Sequence, residues 1–211
     1  RDMFKSAKKV YRSALFFTMA ISILAAVFVF FFGEFIAQTF VLEYMGYLAV
    51  MAVAPAILLS GLLGVIRGYL QGMGAMTPTV HSKLLEKVIM LFACLMLAAE
   101  RYNYGLKVAA LLRNDDYAAA YGAMGAAIGV SIAGGVAVLH MVFIKLAYTG
   151  TFKQQLAKDT SKYVESNGQI ISMFFSVALP YLLCALLYNM NYLVDQRIFN
   201  YAMNRQERGS I

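Results

Sequence analysis

Apolar residues in this chain are clustered into stretches long enough to cross a bilayer. Ser13 to Phe32 is a run of twenty residues without a charge, and Tyr44 to Ile66 is a second uncharged run. A transmembrane helix needs roughly 20 mostly apolar residues to cross a hydrocarbon layer of about 30 Å. The pattern predicts about five spans, near 13–32, 47–66, 79–99, 120–144 and 170–194. The expected fold class is therefore all-α, a polytopic transmembrane helical bundle. Pro55 and Pro180 fall inside the second and fifth runs. Proline at such positions marks a kink whose freed carbonyl is satisfied by neighbours.

Charge interrupts the third span. Val88 to Ala99 is uncharged but too short to cross. Its helix must start earlier, near Pro78 or Thr79, and so carry Lys83, Glu86 and Lys87. Those positions lie at i, i+3 and i+4 and share one helix face. Such a stripe faces protein or a watery cavity, or else lies at headgroup level. Glu86 is expected to pair with Lys83 or Lys87. Residues 1–12 form a basic segment, 100–117 a polar loop, and 149–169 an amphipathic connector with Phe152, Leu156 and Tyr163 at helical spacing. Residues 195–211 make a polar tail.

Basic residues orient the bundle. With the N-terminal segment in the cytoplasm, six of the eighteen Lys and Arg fall outside: Arg101, Lys107, Arg113, Arg197, Arg205 and Arg208. The other twelve fall inside, and this excess places the N-terminus in the cytoplasm and the polar tail outside.

Composition sharpens the picture. Hydrophobic residues make up 61% and charged ones 14%, against roughly 45–50% and 25% in soluble domains. The net charge of +7 reads as basic loops on an anionic leaflet, not as a nucleic-acid surface. Cys94 and Cys184 each sit in apolar surroundings, which argues against a disulfide framework or a thiolate metal site. The chain opens on Arg1 without a signal-peptide pattern, and both ends are expected to be cuts through a longer protein.

Enzyme templates are missing. There is no His-Glu-x-x-His, Gly-x-Ser-x-Gly or Walker pattern, and His81 and His140 lie far apart in sequence. Small residues are more informative. Gly64, Gly68 and Gly72 recur every four positions, as do Gly125, Gly129 and Ala133. That spacing lets membrane helices approach closely. Between the second and third spans, Thr77 suits an N-cap and Pro78 the first helical position.

The run Arg67 to Met73, followed by Met76, Thr77, Pro78, Thr79, Ser82 and Glu86, resembles a family signature. It is similar to the connection after the fourth helix in the polysaccharide-exporter branch of the multidrug/oligosaccharidyl-lipid/polysaccharide flippase superfamily. Within that branch the resemblance is to the stage V sporulation protein B group and the peptidoglycan lipid-precursor flippases. The helix with Gly122, Gly125 and Gly129 resembles the family's sixth. The stretch from Leu179, Pro180 and Tyr181 to Asn191 and Asp195 resembles its seventh. The five spans then correspond to helices three to seven of about fourteen. Gly74 and Ala75 depart from the polar pair usual in the family, and His81 and Lys83 are unusual.

The resemblance implies a transporter, without covalent chemistry or a cofactor, that moves lipid-linked oligosaccharide or peptidoglycan precursor across the bacterial cell membrane by alternating access. Its partners are the bilayer, a lipid-linked sugar and the remaining helices of the full-length protein. A multidrug exporter of the same superfamily is the alternative; a membrane scaffold or polytopic enzyme is the reading from another class. Arg67 is either a snorkelling anchor or a cavity cation for a phosphate. Lys83 and Lys87 are candidates for the same substrate role. Asp195 is either an interfacial charge or, with Asn191, a site that couples a cation or proton. The resemblance implies an acidic residue on that helix for such coupling.

Overall fold

The computed structural model describes residues 4–41, 44–158 and 167–209. Helix α1 is Phe4–Phe31 and the short α2 is Gly33–Ile36; a π-helical turn, Ala37–Val41, and a 3-10 turn, Tyr44–Gly46, follow. The long helices are α3 (Tyr47–Gly72), α4 (Thr77–Leu112), α5 (Asp116–Lys158) and α6 (Asn167–Gly209). No strand occurs among the described residues. The protein is an all-α polytopic bundle.

Four stretches are long and apolar enough to cross a membrane: Ala7–Phe31, Tyr44–Gly72, Asp116–Tyr148 and Ile171–Phe199. The crossing expected over 79–99 is not among them, because Lys83, Glu86 and Lys87 on one side and Glu100 and Arg101 on the other leave a short apolar stretch. The outer surfaces of the bundle fit lipid, with Phe16 74%, Met96 72% and Leu111 83% exposed. Wide exposure of large apolar side chains marks a surface covered by something other than water.

The expected loop at 100–117 is corrected. Helix α4 continues to Leu112, and the connection to α5 is only residues 113–115. Packing overrides polarity here. Gly105 and Ala109 are buried, and a Cβ on Gly105 would stand 2.9 Å from Ala118 Cα. The Tyr104 and Tyr121 rings meet edge to face at 5.5 Å. At about 1.5 Å per residue, the 36 residues of α4 outrun the hydrocarbon layer. The turn closes through Arg113, left-handed at φ 54°, and the Asn114 side-chain oxygen, which accepts the Asp116 N–H at 2.9 Å.

Other polar segments also continue as helix. Residues 4–12 of the basic segment belong to α1, and 195–209 of the tail belong to α6. Residues 149–158 extend α5 and do not form a separate connector helix. The rest of that connector up to 166, including Tyr163, lies outside the described residues.

The helices pack in sequence order only in part. α4 lies along α5, α5 also packs on α3, and α3 packs on α1; α6 touches α1 and the Ala37–Val41 turn. The main core joins Leu63, Ile66 and Leu70 of α3 to Ala137, Val138 and Met141 of α5. Near Pro55 in α3, the Ser131 hydroxyl of α5 donates to the Ala52 carbonyl at 3.3 Å and lies 3.4 Å from the Ala127 carbonyl. A neighbouring helix thus reaches the α3 backbone one residue from Met51, whose carbonyl Pro55 leaves without its helical donor.

The α3–α4 turn ends α3 with crossed hydrogen bonds. Ala75 N–H donates to the Leu70 carbonyl and Gly74 N–H to the Gln71 carbonyl, both at 2.9 Å. Gly74 sits at φ +80°, so this is a Schellman motif with glycine at its left-handed position. Gly74→Ala should lower stability by about 1 kcal/mol, read as a drop in the thermal midpoint in detergent; an unchanged midpoint would show that the turn relaxes freely. The expected cap at Thr77 is corrected. Thr77 is the first helical residue of α4, Met76 takes the cap position, and no side chain caps the end.

Candidate functional site: a charged cavity beside an apolar groove

The α3–α4 turn brings the end of α3 beside the start of α4, and a cavity of about 280 Å3 opens there. Arg67, Gln71, Lys83 and Glu86 supply its charged and amide groups. The Arg67 Nη2 donates to Glu86 Oε2 at 2.6 Å and to Ser82 Oγ at 2.8 Å, and Nε lies 3.3 Å from Ser82 Oγ. Ser82 is fully buried. The Arg67 and Glu86 side chains are 14% and 24% exposed.

This geometry corrects the expected partner of Glu86, which is Arg67 and neither Lys83 nor Lys87. Ser82 and Glu86 are one helical turn apart and both face α3, whereas Lys83 and Lys87 are exposed. The guanidinium reaches that face from α3. Arg67 is held between two helices by these bonds. Its Nη1 makes none of these bonds, and Arg67 is one of the residues that line the cavity. Lys83 lines the cavity, and Lys87 does not.

A second cavity, of about 990 Å3, runs between α1, α3 and α6. Ile21, Val65, Tyr69, Phe174 and Leu182 are among its walls, together with Gly64, Gly68 and Gly72. The close helix crossing expected at those three glycines is corrected: a Cβ on any of them would meet nothing within 4 Å. Among the described residues, their small size borders open space. Gly125 and Gly129 stand in the opposite situation. A Cβ on Gly125 would lie 2.7 Å from the Leu97 carbonyl carbon, and one on Gly129 2.7 Å from Cys94 Cα. The Cys94 thiol also reaches the Ala126 carbonyl at 3.2 Å.

Asp195 and Asn191 lie exposed on α6 and line neither cavity. Asn189 turns back on its own helix, donating to the Ala185 carbonyl at 2.7 Å. No cluster able to hold a metal occurs among the described residues.

One cluster escaped the sequence reading. Lys145 Nζ of α5 donates to the Tyr11 hydroxyl of α1 at 2.5 Å and lies 4.1 Å from the centroid of that ring. The Tyr11 and Tyr69 rings are 4.5 Å apart. Three helices meet there, so no local spacing signals it; a lysine closing a long apolar run is the only trace.

The fold and its cavities define a polytopic membrane protein whose third helix separates a charged cavity from an apolar groove. No known family profile matches the chain, and no solved structure matches it. It is 24% identical over 176 residues to stage V sporulation protein B of Bacillus subtilis (strain 168), a likeness covering 83% of this chain and 31% of that protein. The chain thus spans about a third of the length of that relative.

Proposed function

We propose that this chain is part of a flippase that moves lipid-linked oligosaccharide or peptidoglycan precursor across the bacterial cell membrane by alternating access. The observation that carries the reading is the α3–α4 cavity. Arg67 and Lys83 contribute two positive charges and Glu86 one negative charge, leaving an excess of one positive charge in the cavity. A phosphate entering such a site needs a cation to meet it. The Arg67 guanidinium and the Lys83 ammonium, both in the lining of the cavity, are the groups offered. The likeness to a sporulation protein supports a role in the cell envelope or spore. Further helices of a longer protein would supply the second bundle that rocks against this one. The carboxylate of Glu86 favours a second reading, export of cationic drugs, but Arg67 already neutralises it.

The test is reconstitution of the full-length protein into vesicles that hold a lipid-linked sugar in one leaflet. Protein-dependent appearance of the sugar on the other side is expected. Export of a cationic dye without movement of the lipid would replace the flippase reading with the exporter one.

Orientation follows from the basic residues, with α4 taken to cross beside α5, along which it packs. With Cys94 and Cys184 replaced by serine, a cysteine at Asp115 should react with an impermeant thiol reagent applied to whole cells, and one at Ala75 should not. The reverse pattern would invert the bundle. Asp195 is the proposed coupling acid, with Asn191 one turn away on α6. Asp195→Asn should weaken ion-dependent transport severalfold at unchanged expression. Transport with the same ion dependence would remove Asp195 from that role.

A further inference from the structure

The function proposed above uses the cations of the α3–α4 cavity and gives Glu86 no task beyond neutralising one of them. Two acceptors hold the Arg67 guanidinium, and they are of unlike kind. Ser82 is neutral, short and fully buried, and it accepts from Nε at 3.3 Å and from Nη2 at 2.8 Å. Glu86 is charged, has a longer side chain that is 24% exposed, and lines the cavity. Its bond to Nη2 is the shortest of the three, at 2.6 Å. The hydroxyl is thus a fixed anchor, whereas the carboxylate has open space to turn into. Lys83, three positions earlier on α4, is its neighbour on the helix surface and lines the same cavity. A carboxylate that leaves Arg67 therefore has a second cation beside it.

We infer that Glu86 is a resident counter-ion: the substrate's phosphate displaces it from Arg67, and its return expels the phosphate. The inference rests on the flippase reading and adds to it the residue that sets affinity and release. Carboxylate and phosphate oxygens compete for the same planar donors. In the empty cavity Glu86 spares a half-buried guanidinium the cost of standing unpaired. In the loaded cavity Ser82 keeps the guanidinium in place, and the phosphate takes the donor that Glu86 gives up. The Lys83 ammonium, with three N–H donors, serves the turned carboxylate and the phosphate together. A transporter must let go of what it binds, and a built-in competitor lowers affinity to that end by on the order of tenfold. A purely structural Glu86 would do the reverse. It would position Arg67 for the phosphate, and its loss would weaken binding.

The experiment uses the full-length protein in lipid nanodiscs, with a polyprenyl phosphate as one probe and inorganic phosphate as the other. Glu86→Gln keeps the shape of the side chain and removes its charge. It should bind polyprenyl phosphate about tenfold more tightly than the unaltered protein, with the gain in a slower dissociation rate. In vesicles, transport of the lipid-linked sugar by the same variant should show a lower KM and a lower kcat. Glu86→Asp, whose carboxylate stops one methylene short of Arg67, should also tighten binding, so the outcome does not depend on one variant folding. Ser82→Ala should weaken binding, because it removes the anchor. Unchanged or weaker binding by the Glu86 variants, or a shift of the same sign in Ser82→Ala, overturns the exchange; binding of the lipid by the unaltered protein then leaves the flippase reading standing. Tighter binding of inorganic phosphate by Glu86→Gln, with no binding of polyprenyl phosphate by any form, keeps the exchange and overturns the flippase reading. Binding of neither probe by the unaltered protein overturns both.

Discussion

Arg67→Ala in the full-length protein should abolish transport of the lipid-linked substrate, and Arg67→Lys should leave an intermediate activity. Two effects combine in the alanine variant. The cavity loses the cation that meets the phosphate, and Glu86, only 24% exposed, loses its partner. Hydrogen bonds to charged groups contribute about 1.5–3 kcal/mol each, or roughly ten- to a hundredfold in affinity. Lysine keeps the charge but lacks the planar fork that binds Ser82 and Glu86 together.

The structural and substrate roles can be separated with a second variant. Arg67→Gln combined with Glu86→Gln removes the ion pair without leaving a lone carboxylate. It should restore expression and thermal stability toward the unaltered level, and transport should stay lost because the guanidinium charge is gone. Full transport by the double variant, measured in vesicles, would reduce Arg67 to a strut between α3 and α4 and remove the observation on which the flippase reading stands.

How much of this was legible in the chain depends on range. The four apolar crossings follow from composition and length alone, since no buried partner is needed to make a twenty-residue uncharged run helical in lipid. The start of α4 was legible in kind, because a proline in the first helical turn has a local reason. Helix α4 was not. Its charged second half reads as a loop, and only contact with α5 through Gly105 and Ala109 explains why it stays helical. The Arg67 pairing failed for a related reason. Spacing on one helix nominated Lys83 and Lys87 for Glu86, while the partner came from another helix nineteen positions away. The glycine repeats show the limit most clearly. Gly64, Gly68, Gly72 and Gly125, Gly129 carry the same spacing, yet one set borders a groove and the other a helix crossing. Spacing reports which face the small residues share; it does not report what that face meets.

That contrast yields the second large effect, which falls on stability. Gly129→Leu should prevent the α4–α5 pair from forming, and Gly129→Ala should already be costly. The nearest atoms to a Cβ at Gly129 are all backbone: Cys94 Cα and N at 2.7 Å and the Ala93 carbonyl carbon at 2.9 Å. A side chain could rotate away, but a helix backbone can yield only by moving the whole of α4. Overpacking of this kind costs about 1–3 kcal/mol for small additions, and the leucine side chain is far larger. The same pair buries Gly125 and Gly105, so a displacement at Gly129 would be felt along the crossing. Gly68→Ala is the matched control. Its Cβ meets nothing within 4 Å, and alanine is favoured over glycine inside a helix by about 1 kcal/mol. Thermal midpoints in detergent should therefore fall for Gly129→Ala, stay level or rise for Gly68→Ala, and be unmeasurable for Gly129→Leu because the protein aggregates. Equal midpoints for the two alanine variants would mean that the α4–α5 crossing is not the close contact described, and the assignment of the two glycine sets to different roles would fall with it.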